Sequence, residues 1–337
     1  MGKRAIFFAQ DEGSAKALVP VILRMIGQNA AGHAAWASGH AARIFGERGI
    51  PFTITDRSGV GEAFSPRPDL VVTGASMRAS IEKEAIRIAR RNGVPSVTLL
   101  DSPLWPWCRF TVDGAKDAEA LSDHILVLDP ECRKRMISEG FPAGRLMTTG
   151  NPHFDALPVL SGSRREKASW DVLVVTQPEF RDGRYESDLP WLETVISLCQ
   201  RLDNGLTMTV RPHGKEDRRL HDPFSSPGCR VDAESDILDL IEAHRLIVGK
   251  NSSTLLEAAL LGKGVISYSL KEVDLLQSPI EEWGLFRKAI DHGELEVLLR
   301  QEIQEKVRRP VPRDIPFYTD GRNGERVIDI LQRILKG

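Results

Sequence analysis

Cysteine is scarce in this chain: four in 337 residues (Cys108, Cys132, Cys199, Cys229), far apart and with no C-x-x-C pair. That spacing excludes the usual zinc finger or ribbon. In a chain of this length it reads as buried thiols rather than a disulfide framework. Charge of one sign is lacking too, since 45 Lys and Arg against 47 Asp and Glu leave a net charge of −2. Binding to nucleic acid through bulk positive charge is therefore excluded. Long apolar runs are missing, and nothing approaches the roughly 18 residues that span a bilayer. Residues 1–13 (MGKRAIFFAQDEG) meet Asp11 and Glu12 after a short apolar stretch. They read as a first strand rather than a signal peptide, and the expected location is the cytoplasm.

Two nucleotide signatures are absent as well. No G-x-G-x-x-G follows the first strand; the turn reads Gln10-Asp11-Glu12-Gly13-Ser14. Two carboxylates there would repel a dinucleotide pyrophosphate from the helix N-terminus, which disfavours a nicotinamide-dependent dehydrogenase. No Walker A sequence occurs, which disfavours a P-loop kinase or ATPase.

Hydrophobic residues at 41% and charged ones at 27% are ordinary globular values, and the length suits two domains. Short aliphatic runs at 4–10, 51–56, 69–73, 96–100 and 124–129 read as buried strands. Helical periodicity marks 14–26 and 78–92, the latter with Ile81, Ala85, Ile86 and Ala89 on one stripe and Gly93 as its stop. The polar stretch 161–168 is the linker candidate. The pattern then restarts: strands at 171–176, 206–210, 246–248 and 265–268, with a helix around 191–202 and a last helix at 324–335. The expected fold class is α/β: two Rossmann-like domains whose parallel sheets face each other across a cleft.

The segment 246–268 (LIVGKNSSTLLEAALLGKGVISY) carries the strongest chemistry. A strand ends at Gly249, a polar turn Lys250-Asn251-Ser252-Ser253-Thr254 follows, and a helix begins. Backbone N–H groups and hydroxyls at a helix N-terminus suit a phosphate or pyrophosphate. Glu257, in the same helix, is placed to accept hydrogen bonds from ribose hydroxyls. The competing structural explanation is an ordinary capping box, with Ser or Thr at the cap and Glu at the third helical position.

This segment resembles the donor-binding motif of two-Rossmann-domain (GT-B) glycosyltransferases. Their relatives include the UDP-N-acetylglucosamine 2-epimerases and the CDP-glycerol glycerophosphotransferases. Three further segments agree: Thr148-Thr149-Gly150-Asn151-Pro152-His153-Phe154-Asp155 is similar to the TGNP..D crossover, Arg211-Pro212-His213-Gly214 to a His-Pro pair, and Tyr318-Thr319-Asp320-Gly321-Arg322-Asn323 to the GDG segment of the epimerases. Gly214 stands where the family has Pro, and Asp-Glu-Gly stands where the epimerases have an Arg-Pro-Glu-like first turn. Asp-Glu-Gly, His-Gly and Ser-Ser-Thr also resemble the short motifs of bacterial sialyltransferases that use CMP-sugars.

The resemblance implies a glycosyltransferase, inverting and independent of metal. It would move a sugar from a UDP- or CMP-linked donor to a surface-polysaccharide or related glycan acceptor, free or lipid-linked. No cofactor is expected, the nucleotide-sugar being a substrate. Residues 1–155 would form the acceptor domain and 165–320 the donor domain, with 321–337 a helix packing back on the first. Donor contacts would come from Arg211, His213, Asn251, Ser252, Ser253, Thr254 and Glu257. Asp11 or Glu12 would deprotonate the acceptor hydroxyl, although Asp11 also suits a helix cap. Asp101 stands next as a base, and Asp101, Trp105 and Trp107 are the acceptor candidates, with plain packing the competing explanation for at least one ring. The basic clusters at 133–135 and 308–309 read as solvated faces, with a peripheral contact to the inner membrane face as the alternative. Rival functions are an epimerase acting on UDP-N-acetylglucosamine and a non-catalytic nucleotide-sugar-binding protein.

Overall fold

The computed structural model describes residues 3–29, 33–77, 79–103, 106–112, 115–157, 170–181, 184–250, 252–270, 284–305 and 317–337. The expected linker at 161–168 lies outside them. The chain divides into two compact units, residues 1–158 with 316–337, and residues 159–315.

The first unit opens with β1 (Ala5–Ala9), α1 (Glu12–Asn29), β2 (Ala34–Ala37), α2 (Gly39–Glu47), β3 (Phe52–Ile54), β4 (Leu70–Thr73), α3 (Ile81–Arg91) and β5 (Ser96–Leu99). A small hairpin of β6 (Thr111–Val112) and β7 (Ala115–Lys116) precedes β8 (His124–Val127), α4 (Pro130–Ser138) and β9 (Leu146–Thr148). The main strands form a seven-stranded parallel sheet in the order β3-β2-β1-β4-β5-β8-β9. Every residue of β1 is buried because both faces of the sheet are covered. Side chains alternate across the sheet. Ala5, Phe7 and Ala9 join the core beneath α1 and α2, while Ile6 and Phe8 join Ile81, Ala85 and Ala89 of α3 on the other face.

The second unit contains β10 (Trp170–Val175), a hairpin of β11 (Glu179–Arg181) and β12 (Arg184–Glu186), α5 (Leu189–Leu202), β13 (Met208–Arg211), β14 (Cys229–Val231), α6 (Ile237–Ala243), β15 (His244–Gly249), α7 (Ser253–Leu260), β16 (Gly264–Tyr268), β17 (Arg287–Ala289) and α8 (His292–Glu305). Its six-stranded parallel sheet runs β14-β13-β10-β15-β16-β17, the doubly wound order 3-2-1-4-5-6. The last helix, α9 (Asn323–Lys336), belongs to the first unit, where Val327, Ile328, Ile330, Leu331 and Leu335 complete the core beneath α1.

Some elements depart from the sequence reading. Strands β2, β9, β14 and β17 carry no clear sequence signal. Each has three or four residues (AAWA, LMT, CRV, RKA), and β9, β14 and β17 are sheet edges. Helix α1 begins at Glu12, two residues before the expected Ser14, so Glu12 and Gly13 are helical rather than part of the turn. Helix α7 begins at Ser253, which puts Ser253 and Thr254 in its first turn. Among the described residues no helix is long and apolar enough to cross a membrane.

Candidate functional site

In a doubly wound sheet, ligands bind at the carboxyl ends of the strands where the strand order reverses. That reversal falls between β1 and β4 in the first unit, and between β10 and β15 in the second. Asp11 and Glu12 follow β1, and Ser252, Ser253, Thr254 and Glu257 follow β15, whereas Asp101 and Trp107 follow β5 and Arg211 and His213 end or follow β13.

In the second unit β10 and β15 approach closely at this end. A Cβ at Gly249 would stand 2.6 Å from Val175 Cγ2, so the strand can end there only in glycine without the neighbour moving. The chain continues through Lys250 to Ser252, whose hydroxyl accepts the Thr254 N–H at 3.2 Å and caps α7. Glu257 is thus the fifth residue of the helix, not the third, and the capping-box explanation does not hold. Its side chain is buried. Asn251 lies outside the described residues.

The neighbouring loop after β13 is tied to the same end of the sheet. Thr176, just past β10, donates its N–H to Arg211 O at 3.1 Å, and its hydroxyl accepts His213 N–H at 3.0 Å. The His213 N–H is shared with Glu216 Oε2 at 2.8 Å, and Glu216 also accepts the Thr176 hydroxyl. Lys215 N–H donates to His213 Nδ1 at 3.1 Å, so in the neutral ring the proton sits on Nε2, a hydrogen-bond donor. Arg211 is held by Asp232, donating to its carbonyl at 3.1 Å. Lys250 is buried and pairs with Asp188 at 2.5 Å and Glu179 at 3.5 Å. Chemically, this end of the unit offers a helix N-terminus, hydroxyls and an imidazole N–H donor, a set suited to phosphoryl oxygens.

The first unit presents an acid–base cluster instead. Asp11 N–H donates to Ser76 Oγ at 2.9 Å, and Asp11 Oδ2 accepts the Met77 N–H at 3.3 Å. Glu82 accepts Gln10 N–H at 3.0 Å and the Ser76 hydroxyl at 2.5 Å on Oε1, while its Oε2 is buried with no hydrogen-bond partner among the described residues. Burial pushes the Glu82 carboxyl above its ordinary range, with the Asp11 charge adding to the effect and the Ser76 hydrogen bond opposing it. Next to it, Lys83 Nζ donates to Ser76 O at 3.1 Å, and burial brings its pKa down to about 8. Glu12 forms an i,i+4 ion pair with Lys16 at 2.9 Å, its side chain 39% exposed.

Asp101 follows β5. Its Oδ1 accepts Arg109 Nη1 at 2.5 Å, both side chains 11% exposed, and Arg109 also donates to Ala75 O. Asp101 Oδ2 lies against the first turn of α1, where a Cβ on Gly13 would overlap it. A carboxylate thus already occupies this helix N-terminus, in keeping with the absence of a dinucleotide fingerprint. Trp107 stacks on Phe141 with centroids 4.1 Å apart, donates to Glu139 O, and has Lys116 Nζ 4.2 Å from its ring centre. That is the packing explanation for this ring; Trp105 lies outside the described residues.

Sequence reasoning missed Ser76, Glu82, Lys83 and Arg109 in the first unit, and Thr176, Glu216, His221 and Lys250 in the second. Glu82 did leave a trace, since positions 82, 85, 86 and 89 share the buried side of α3. A glutamate on that stripe is a buried polar group that needs partners. Among the described residues no group of three or more His, Cys, Asp or Glu side chains converges as a metal site.

No protein-family model matches the chain, and no curated protein sequence does. In structure it is similar to a UDP-GlcNAc 2-epimerase from Neisseria meningitidis bound to UDP-GlcNAc, at 14% identity and TM-score 0.75, covering 98% of this chain and 100% of that one. It is also similar to MnaA of S. aureus in complex with UDP, at 14% identity and TM-score 0.73, covering 99% and 97%. The glycotransferase of kitacinnamycin matches at 13% identity and TM-score 0.62, covering 99% and 100%. The chain has the two-Rossmann-domain (GT-B) fold, which it shares with these structures.

Proposed function

We propose that the protein is an enzyme acting on a nucleoside-diphosphate sugar, with the diphosphate held by the second unit. The observation that carries this reading is the junction of β10, β13 and β15. There the His213 Nε2–H and the capped start of α7 provide donors for an anion at the point where such sheets bind ligands, and Thr176 holds the His213 loop in place. Negative charge grows on the diphosphate as its bond to the sugar breaks, and these donors would stabilise it. Ser252, Ser253, Thr254, Asn251 and Arg211 belong to that site, and Glu257 to its ribose end. UDP in two of the structural neighbours supports the ligand class.

For the reaction, glycosyl transfer is favoured by the acidic first turn. Asp11, held by Ser76 and Met77, can take a proton from an acceptor hydroxyl. The acceptor would be a glycan, free or lipid-linked, with Asp101 near it. A second reading, 2-epimerisation of UDP-N-acetylglucosamine, is favoured by the preponderance of epimerases among the structural neighbours. Incubating the chain with UDP-N-acetylglucosamine and no acceptor separates them. A C2 epimer in the NMR spectrum assigns epimerisation; an unchanged sugar with UDP competing for its site removes epimerisation, and turnover once a glycan acceptor is added assigns transfer. Binding without turnover on any acceptor would leave a nucleotide-sugar-binding protein.

A further inference from the structure

Glu216 is a buried charge that no motif announces. Its side chain and that of His221 are each 1% exposed. Oε2 of Glu216 receives the His213 N–H and the Thr176 hydroxyl, while Oε1 faces His221 Nε2 at 3.6 Å. The other ring nitrogen, His221 Nδ1, lies 3.3 Å from Asp217 O. A carbonyl only accepts, so Nδ1 must donate. A neutral ring would then point the Nε2 lone pair at a carboxylate oxygen, whereas a protonated ring points an N–H at it. Burial opposes charge on both groups, yet His221 is raised above its ordinary value by Glu216, and Glu216 is lowered below its own by His221 together with the Thr176 and His213 hydrogen bonds and the Ser187 hydroxyl. Nearby charges are engaged elsewhere, Arg219 with Asp217 and Arg218 with Glu234.

The loop is wound around this carboxylate. Glu216 N–H returns to His213 O at 2.9 Å, Lys215 N–H holds the ring at Nδ1, and Thr176 fastens the whole to the end of β10. Hydrogen bonds to an ionised carboxylate are the stronger kind, so the charge stiffens the loop. A lone carboxylate beside a diphosphate would repel it; the imidazolium of His221 cancels that field.

The geometry points to Glu216 as the positioning residue of the diphosphate site, with His221 as its counter-ion, the pair holding His213 so that Nε2–H is presented to a phosphoryl oxygen. This rests on the diphosphate reading of the same site. The test is calorimetric titration of the full chain with UDP, together with nitrogen NMR of the histidine rings. In the wild type His213 is expected in its Nε2–H tautomer and His221 titrates above 6.5, its unperturbed value. Glu216→Ala should weaken UDP binding by about tenfold or more and erase the His213 signature. Glu216→Gln keeps an acceptor for His213 N–H, and its amide donates to a neutral His221. It should restore affinity to within about threefold of wild type while the His221 midpoint drops. An alanine variant that binds UDP like the wild type overturns the inference and leaves the diphosphate reading standing. A wild-type chain that does not bind UDP overturns that reading, and the inference with it. Should the alanine variant not fold, the glutamine variant still decides, because an unmoved His221 midpoint removes the counter-ion.

Discussion

The carboxylate of Asp155 accepts the backbone N–H of Gly324 at 2.7 Å, and its second oxygen accepts that of Asn323 at 2.9 Å. Two segments that carry the family resemblance, TTGNPHFD and YTDGRN, therefore meet each other within the first unit. Gly150, at φ +85°, leaves room for Asn323, whose side chain donates to Tyr318 O at 3.1 Å. The motif fastens a helix across a long stretch of sequence.

Removing that cap should loosen the last helix, whose buried face completes the core under α1. Asp155→Ala is expected to cost about 1–2 kcal/mol, from two lost N–H acceptors and a lost charge at a helix N-terminus. Asp155→Asn, which keeps one acceptor, should cost less. Urea denaturation measures both; equal stability of the alanine variant and the wild type would remove the capping role.

Gly13 and Asp101 are coupled by space alone. A methyl at Gly13 would displace the Asp101 carboxylate and pull it from Arg109. Gly13→Ala should therefore destabilise by roughly 1–3 kcal/mol, an overpacking cost. In an Asp101→Ala background the obstacle is gone and alanine is a better helix former than glycine, so the same change should be neutral or stabilising. Additive effects in the double-mutant cycle would count against this account.

The alternation of short aliphatic runs with an amphipathic helix made the α/β class readable, because buried parallel strands such as AIFFA and LVVT have no other common home. Edge strands such as RKA and CRV were unreadable for the opposite reason: short and half-covered, they need little apolar sequence. At the candidate site, the start of α7 was visible as strand, polar turn and helix, although the helix begins two residues earlier than the turn residues suggested. Glu216 was not, because it sits among Lys215, Asp217, Arg218 and Arg219 and looks like one more solvated charge. Only the return of the loop onto Thr176, 40 residues away, buries it.

Glu82 predicts a pH dependence with a definite sign. Its carboxyl is raised in the folded chain, so above its unfolded value of about 4.3 the folded state holds more protons than the unfolded one. Stability from this group then falls as pH rises from there, until the folded carboxyl itself ionises. Glu82→Gln keeps the acceptor for Gln10 and Ser76 without a titrating proton. The variant should match the wild type near pH 4 and exceed it near pH 7. Urea titrations across that range test the slope, and parallel curves would mean that Glu82 ionises in the folded chain as freely as in the unfolded one.

The base separates two adjacent carboxylates by their surroundings. Glu12 is spent on a half-buried ion pair with Lys16, one helical turn on, and such i,i+4 pairs contribute little to stability. Asp11 is held at the β1–β4 switch point, its N–H on Ser76 and its Oδ2 on Met77, beside a carboxyl whose burial disfavours ionisation. A side chain fixed in this way can take a proton without first reorganising. Asp11→Asn preserves an acceptor for Met77 N–H and removes proton acceptance. It should lower turnover by roughly 10²–10⁴ in whichever reaction the acceptor-free assay assigns. Its UDP affinity and melting temperature should be little changed, because the substitution leaves the second unit untouched and Asn suits a helix start as well as Asp does. Glu12→Gln should turn over within about twofold of the wild type, as expected for loss of a solvent-screened pair. If Asp11→Asn retains wild-type turnover, the base passes to Asp101, which would first have to leave Arg109, and the same assay on Asp101→Asn becomes the deciding measurement.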